Sequence, residues 1–182
     1  MKKVNVFLAD GFEEIEALTV VDLLRRAGVT VTMVSVTGET LVHGAHGIDV
    51  RSDILFEEMD KNVDLLVLPG GMPGTIHLKE HSGVTQILRE FHEKEKMIAA
   101  ICAAPTVLGG LGFLKGRKAV CYPSMEEGLT GAQALTDEVV TDGHITTSRG
   151  LGTAIPFSLE LIRRLCGQEK ADEIRASVVY RQ

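Results

Sequence analysis

The chain has 182 residues, of which 45% are hydrophobic and 24% charged, and its formal net charge is −6. This composition is typical of an ordinary globular protein, and the lack of a basic block argues against nucleic acid or an anionic membrane as a partner. No apolar run approaches the roughly 20 residues that a membrane-spanning helix needs. The length predicts one domain over residues 1–182.

The cysteines and the first residues bear on the compartment. The three cysteines are odd in number and have no close pairs, which argues against a disulfide framework and suits a reducing compartment. The opening MKKVNVFLADGFEE has two lysines and an apolar run, as a signal peptide has, but the run stops at Ala9 and acidic residues follow. We interpret it as a first strand and expect a cytoplasmic protein.

Strand-like and helix-like patterns alternate along the chain. The predicted strands are 3–9, 29–36, 63–69, 97–101, 118–123 and 144–149, with a short hairpin over 41–50. The predicted helices are a first one with an Asp10–Glu13 capping box and Gly28 at its end, then 84–95, 103–112, 152–167 and 169–176. Alternation of helices with mostly apolar strands predicts a doubly wound α/β fold, with a parallel sheet covered on both faces.

One strand end carries a cysteine. In doubly wound folds ligands bind beyond the carboxyl ends of the strands, here after Ala9, Leu68 and Ile101. Cys102 follows Ile101, and Pro105 is suited to the first turn of the next helix. A strand–nucleophile–helix turn is the geometry of a nucleophile elbow, and a helix N-terminus favours a thiolate. The alternative is a core cysteine that only packs.

The other two strand ends carry glycines and acids. The PGGMPG segment places Gly70 and Gly71 where bare backbone N–H groups, together with that of Ala103, would form an oxyanion hole. The alternative is an ordinary glycine-rich turn. After Ala9, the helix dipole is the default explanation for acids in the first turn. Glu16 lies one turn further on, where it would lean over the sheet and act as a general base for Cys102.

Several other motifs are weaker. HLKEH (77–81) matches the H-x-x-E-H zinc string, but the flanking glycines predict little helix there, and we expect no metal. RGLGTA (149–154) lacks the third glycine of a dinucleotide loop, so no nucleotide cofactor is expected. Arg149 would attract an anionic substrate or form a structural salt bridge. His43 and His46 are interpreted as solvated loop residues, whereas His92 and His144 have no evident partner. Cys121 and Cys166 are interpreted as packing residues.

Four segments resemble, in order, signatures of the ThiJ/PfpI superfamily, in particular the branch of the Parkinsonism-associated deglycase. The resemblance covers nearly the whole chain, and it implies a flavodoxin-like homodimer with a reactive cysteine on an elbow. Cys102 matches that cysteine, Glu16 matches a partnering glutamate that is typically protonated, and Gly71 and Ala103 match the backbone donors. The segments are ADGFEEIEALTVVDLLRRAG, VDLLVLPGGMPG, MIAAICAAPTVL and ITTSRGLGTA.

Two departures from the family pattern narrow the chemistry. The protease-like branch has a histidine where this chain has Ala103, so peptidase activity is not expected. The deglycase branch often has a histidine before a proline near the sulfur, where this chain has Tyr122. A phenol with a pKa near 10 is a poor base at neutral pH. The mechanism is therefore expected to rest on Cys102 and Glu16.

Two hypotheses about function follow. The first is a cysteine-dependent glyoxalase or deglycase that acts on glyoxal, methylglyoxal or their early glycation adducts, with Cys102 as nucleophile and Glu16 as general acid and base, and without a cofactor. The second is a stress-protective redox sensor, in which Cys102 is oxidised to a sulfinate and no dedicated substrate is needed.

Overall fold

The structure is a computed structural model that describes residues 1–181. Its strands are β1 (Lys3–Leu8), β2 (Thr30–Ser35), β3 (Leu41–His43), β4 (Asp49–Arg51), β5 (Ile54–Leu55), β6 (Leu65–Leu68), β7 (Met97–Ile101), β8 (Lys118–Ala119), β9 (Gln133–Ala134), β10 (Val139–Asp142) and β11 (Ile145–Ser148). Its helices are α1 (Glu14–Arg26), α2 (Gly74–Glu80), α3 (Ser82–Glu93), α4 (Pro105–Gly110), α5 (Ala154–Cys166) and α6 (Gln168–Ser177).

The central sheet is mostly parallel. Over residues 1–181 it has seven strands in the order β10–β11–β7–β6–β1–β2–β5, and β10 alone runs antiparallel to its neighbour. The β3–β4 pair is the predicted hairpin. Parallel strands joined through helices, as in β1–α1–β2, are the doubly wound arrangement that the apolar strand patterns predict, and the predicted fold class is confirmed.

Helices cover both faces of the sheet. Side chains of successive residues in a strand point to opposite faces, so Val4, Val6 and Leu8 of β1 pack with α1, α5 and α6. Phe7 and the alternate positions of β6 and β7 pack with α2, α3 and α4 on the other face. The two resulting cores hold the carboxyl ends of β1, β6 and β7 side by side.

The start of α1 differs from the prediction. Asp10 does not cap the helix, because α1 begins at Glu14 and the residue before it, Glu13, makes no side-chain capping bond. The chain turns at Gly11, whose φ is +83°, and the Asp10 carboxylate accepts the backbone N–H of His43 at 2.9 Å instead. The predicted capping box is therefore wrong, and Asp10 ties the β3–β4 hairpin to the end of β1.

Three further local predictions are wrong. The strand predicted over 118–123 is confined to Lys118–Ala119. The backbone N–H of Val120 donates to the side-chain hydroxyl of Thr147 and not to the backbone of a neighbouring strand. The HLKEH stretch does form helix, over Gly74–Glu80. Cys166 is exposed rather than packed, whereas Cys121 is buried as predicted.

His92 and His144 do have a partner, namely each other. The His144 Nε2 and His92 Nδ1 atoms lie 2.9 Å apart, and the His92 ring stacks on Phe113 with centroids 4.0 Å apart. Burial, followed by the charge of Arg117, lowers the pKa of both imidazoles. These residues come from α3 and from the β10–β11 turn, so local sequence patterns do not show the contact.

No helix among residues 1–181 is long and apolar enough to cross a membrane.

Candidate functional site

Cys102 stands on a sharp turn at the carboxyl end of β7. Its φ is +65°, a left-handed conformation that is uncommon for a residue other than glycine. The backbone on both sides is fixed, because the Cys102 N–H donates to the Ser148 carbonyl at 3.0 Å and the Cys102 carbonyl accepts from Tyr122 N–H at 2.8 Å. Pro105 begins α4 just beyond the turn. The half-buried thiol is thus held at the sheet edge, in the predicted elbow geometry.

The three strand ends bring their predicted groups together at this sulfur. Glu16, from the first turn of α1, is 1% exposed, and its carboxyl group lies so close to the Cys102 thiol that each group shifts the pKa of the other. Its Oε2 accepts the backbone N–H of Gly70 at 2.9 Å. The backbone amides of Gly71 and Ala103 also lie near the sulfur and lower the pKa of the thiol. The sulfur therefore sits among one carboxyl group and two amide donors from three separate segments.

The glycines of PGGMPG are required by space. A Cβ on Gly70 would lie 2.5 Å from the Cys102 Cβ and 2.6 Å from Glu16 Oε2, closer than side-chain carbons approach. Gly71 has a φ of +89°, and a Cβ there would lie 2.3 Å from the backbone nitrogen of Glu13. This loop is therefore more than an ordinary turn: its bare backbone lets the thiol, the carboxyl group and the amide donors meet.

Burial dominates the electrostatics of the pair. It raises the pKa of Glu16 to about 7, and the charge of Glu13 adds to the rise, while hydrogen bonds from Cys102 and Gly70 oppose it. Burial also raises the pKa of the Cys102 thiol to about 12, followed by the charge and hydrogen bond of Glu16, against the lowering by the Gly71 and Ala103 amides. The backbone amide of Ala103, just before α4, does lower the pKa of the thiol, but burial and Glu16 outweigh it.

The two groups act as one titrating unit because each shifts the pKa of the other. When Glu16 carries the proton, the negative charge beside the sulfur is gone and the carboxyl O–H becomes a donor to it. Removal of the like charge and addition of a donor both favour the thiolate. A nucleophilic Cys102 thus requires a protonated Glu16.

Tyr122 and Arg149 lie around this centre without joining it. The Tyr122 side chain is half exposed. A Cβ on Gly150 would lie 3.5 Å from Tyr122 Cδ2 and 3.9 Å from Glu16 Oε1, so the ring and the carboxyl group lie on the same side of Gly150. The Arg149 guanidinium donates to the Thr136 carbonyl at 3.3 Å, and within residues 1–181 it forms no salt bridge, so that predicted alternative is wrong. Its role toward an anionic substrate stays a prediction.

The HLKEH histidines do not converge on a metal site. His77 Nδ1 bonds to the Asp10 carbonyl at 2.8 Å, whereas His81 Nδ1 accepts the backbone N–H of Val84 at 3.1 Å. Among residues 1–181, Glu13, Glu14 and His46 do bring three potential ligand atoms within 4.8 Å of one another. His46 Nδ1 already lies 2.9 Å from Glu14 Oε2, so these groups are arranged as an ion pair.

His46 contacts the start of α1, although its place in a glycine-containing turn predicted a solvated loop residue. Its backbone N–H donates to Glu14 Oε1 at 2.6 Å, and its ring contacts both Glu13 and Glu14. Burial is the largest influence on the buried Glu14 carboxylate, but the hydrogen bonds that it accepts together outweigh it and lower the pKa. The hairpin lies far from α1 along the chain, and only the spacing of two glycines around His46 hinted at a turn.

Comparison with known proteins identifies the family of this chain. Residues 2–164 match the model of the DJ-1/PfpI family. The chain belongs to the DJ-1/PfpI family. As a DJ-1/PfpI protein, it is similar to "Glutathione-independent glyoxalase DJR-1.2" of Caenorhabditis elegans, with 33% identity over 165 residues that cover 89% of this chain and 87% of that one.

Other DJ-1/PfpI proteins match the chain along its length. "Protein DJ-1 homolog B" of Arabidopsis thaliana is 40% identical over 183 residues, which are 99% of this chain and 42% of that protein. The chain spans less than half the length of each of two such Arabidopsis relatives. The solved structure "Toxoplasma gondii DJ-1, oxidized" superposes with a TM-score of 0.96 at 36% identity and full coverage of both chains. The family predicted from four sequence segments is confirmed.

Proposed function

We propose that this DJ-1/PfpI protein is a cysteine-dependent enzyme of the glyoxalase and deglycase type, acting on glyoxal, methylglyoxal or their early glycation adducts. The observation that carries the proposal is the close approach of Cys102 and a buried Glu16, which both lie within 2.6 Å of the same point beside Gly70, with the pKa of Glu16 raised to about 7. A carboxyl group that titrates near neutral pH both donates and accepts protons efficiently there. The relative named a glutathione-independent glyoxalase supports the same chemistry.

The proposed reaction uses only residues of this chain and water. The Cys102 thiolate attacks the aldehyde carbon of methylglyoxal, and the oxygen takes the Glu16 proton to give a hemithioacetal. The Glu16 carboxylate then removes the hydrogen from that carbon, forming an enediolate, and returns the proton to the neighbouring carbon. The hydroxyl proton of the hemithioacetal passes to the former ketone oxygen, which leaves a thioester beside a new hydroxyl group. Water cleaves the thioester, releases lactate and restores the thiol. The N–H groups of Gly71 and Ala103 stabilise the oxyanions.

The test compares the wild type with Cys102→Ser and Glu16→Gln on a panel of glyoxal, methylglyoxal and an early glycation adduct, with the hydroxy-acid product followed by NMR. Because nucleophile and proton carrier are both essential, we expect each variant to lose turnover by roughly 100-fold or more. Cys166→Ser, which changes an exposed cysteine at the end of α5, should keep wild-type rates. Full turnover in Cys102→Ser or Glu16→Gln would refute the mechanism.

A second candidate function is redox sensing at the same cysteine. It is favoured by the half-buried position of Cys102 beside two amide donors and the Glu16 carboxyl group, which would bind the oxygens of a sulfinate, and by a solved relative that is named as oxidised. In this reaction one peroxide converts the thiolate to a sulfenate and water, and a second peroxide gives the sulfinate and water.

After mild peroxide treatment we expect Cys102 to gain two oxygens before Cys121 or Cys166. Cys121 is buried, and Cys166, although exposed, has within residues 1–181 no neighbouring carboxyl group and pair of backbone amides like those at Cys102. Peptide mass spectrometry over a peroxide time course distinguishes the three sites. Oxidation of Cys166 first would argue against a sensor at Cys102, and lack of dicarbonyl turnover in the wild type would favour the sensor as the main function.

A further inference from the structure

We propose that His46 is a positioning residue for the Cys102 site: by pairing with Glu13, its imidazolium limits the negative charge beside Glu16 and so sets the pH range in which the Glu16–Cys102 pair releases its proton. The consequence for catalysis rests on the proposed function, whereas the titration itself does not. His46 belongs to the β3–β4 hairpin and lies outside the set of groups that touch the sulfur.

The contacts place His46 on two acidic side chains at once. Its Nδ1 is 3.2 Å from Glu13 Oε2 and 2.9 Å from Glu14 Oε2. The hairpin tip is fixed there by the backbone bonds from Ala45 N–H to the Phe12 carbonyl at 2.9 Å and from His46 N–H to Glu14 Oε1. The His46 side chain is 67% exposed and that of Glu13 only 12%. A ring that exchanges protons with solvent therefore touches a nearly buried carboxylate.

Glu13 connects this pair to the reactive centre. It precedes Glu16 by three residues, which is about one helical turn, and its backbone N–H donates to the Gly70 carbonyl at 2.9 Å. The N–H of the same Gly70 donates to Glu16 Oε2 at 2.9 Å. Glu13 and Glu16 are thus both hydrogen-bonded to Gly70. The charge of Glu13 contributes to the raised pKa of Glu16.

The sign of the effect follows from the charges that face each group. Glu13 and Glu14 face His46; their hydrogen bond and charges raise its pKa, with the Glu14 hydrogen bond as the largest cause. Glu13 and the Cys102 thiol face Glu16. A protonated His46 offsets Glu13, so its removal makes the surroundings of Glu16 more negative. More negative surroundings hold the shared proton to higher pH, whichever of the two groups releases it first.

The experiment measures the alkylation rate of Cys102 by iodoacetamide between pH 5 and pH 9, with the modified peptide quantified by mass spectrometry. His46→Gln should move the midpoint of the profile upward by roughly 0.3 to 0.5 pH unit, the scale of one charge acting through a screened, partly exposed path. Below the midpoint the alkylation rate of His46→Gln should be about two- to threefold lower than that of the wild type at the same pH. Chemical shifts of the Glu16 carboxyl carbon should show the same displacement.

Two further variants separate charge from structure. His46→Lys keeps a positive charge over this pH range and should leave the midpoint at or below that of the wild type. His43→Gln changes the other histidine of the hairpin, which pairs with Asp49 at 2.8 Å, and should leave it unchanged. Thermal unfolding verifies that each variant is folded. A His46→Gln profile that coincides with the wild type, or a His46→Lys profile that follows His46→Gln, would overturn the inference.

The readouts also separate this inference from the proposed function. Alkylation and carboxyl titration need no dicarbonyl substrate. A shifted His46→Gln profile in a protein that does not turn over dicarbonyls would support the electrostatic role and refute only the proposed reaction. An unshifted profile in an active enzyme would refute the electrostatic role of His46 and support the proposed reaction.

Discussion

Gly70→Ala is expected to disable the Cys102 site while leaving the fold intact. The added methyl group would lie 2.5 Å from the Cys102 Cβ, 2.6 Å from Glu16 Oε2 and 3.0 Å from the Ile101 carbonyl oxygen. The φ of Gly70 lies outside the left-handed region, so alanine meets no backbone penalty and the damage is confined to these contacts. Displacement of reacting groups by about 1 Å can cost roughly 100-fold in rate, and we expect a loss of that size in dicarbonyl turnover.

The measurement pairs turnover with the iodoacetamide reactivity of Cys102 and with urea unfolding. Gly110→Ala is the matched control, because the heavy atom nearest to its added Cβ is Lys79 Cε at 3.8 Å and Gly110 lies at the end of α4. We expect that control to keep both activity and stability. Wild-type turnover in Gly70→Ala would show that the close approach of Gly70, Cys102 and Glu16 is not needed for the reaction.

Glu16→Gln is expected to stabilise the protein above neutral pH while it removes activity. The folded state holds a proton on Glu16 up to about pH 7, whereas the carboxyl group has an ordinary pKa of 4.5 when the chain is unfolded. Stability from this group is therefore fully present below pH 4.5 and is lost as the pH rises toward 7. The loss is on the order of 2 to 3 kcal/mol for a buried carboxyl group with this shift.

A glutamine at this position cannot ionise, yet it keeps a carbonyl acceptor for Gly70 N–H and an N–H donor for the sulfur. Urea unfolding at pH 4.5, 6 and 8 should show Glu16→Gln gaining stability over the wild type as the pH rises. Glu160→Gln should show no such gain between pH 4.5 and 8, because hydrogen bonds from Arg163 and Thr141 lower the pKa of Glu160 despite the opposing effect of burial, so the stability that this group contributes is lost only as the pH falls below 4.5. A Glu16→Gln difference that does not vary with pH would contradict the assignment.

The architecture was predictable because its signals are local. The apolar strand patterns of β1, β6 and β7 predicted both the parallel sheet and the three strand ends that meet at Cys102. The edge strands gave weaker signals, because β5 has only two residues and β10 ends in the polar residues Thr141 and Asp142. Val120 and Cys121 gave a false strand signal, because they are buried without joining a strand ladder.

The charge state of the site was predictable only for Glu16, which the family resemblance implied is protonated. The family resemblance identified Cys102 and Glu16, but the position of α4 after Cys102 suggested a stabilised thiolate. The opposite result comes from burial of Glu16 and Cys102, which depends on how two cores close over the sheet. The contacts of His46 with Glu13 and Glu14 also join segments distant along the chain, and local patterns carry no signal for such contacts.

The strand order has a consequence for how the protein folds during its synthesis. β1 precedes β2, β6 and β7 in the chain, yet in the sheet it lies between β2 and β6, and Cys102 at the end of β7 meets Glu16 and Gly71 only after β1, β6 and β7 have come together. Parallel pairings between distant segments are slow to form, because the loops between them must close first. While the chain is being synthesised, Cys102 is thus an ordinary thiol with ordinary chemistry. It acquires its carboxyl partner only when the middle of the sheet has assembled, so the reactivity of this one sulfur marks the completion of folding.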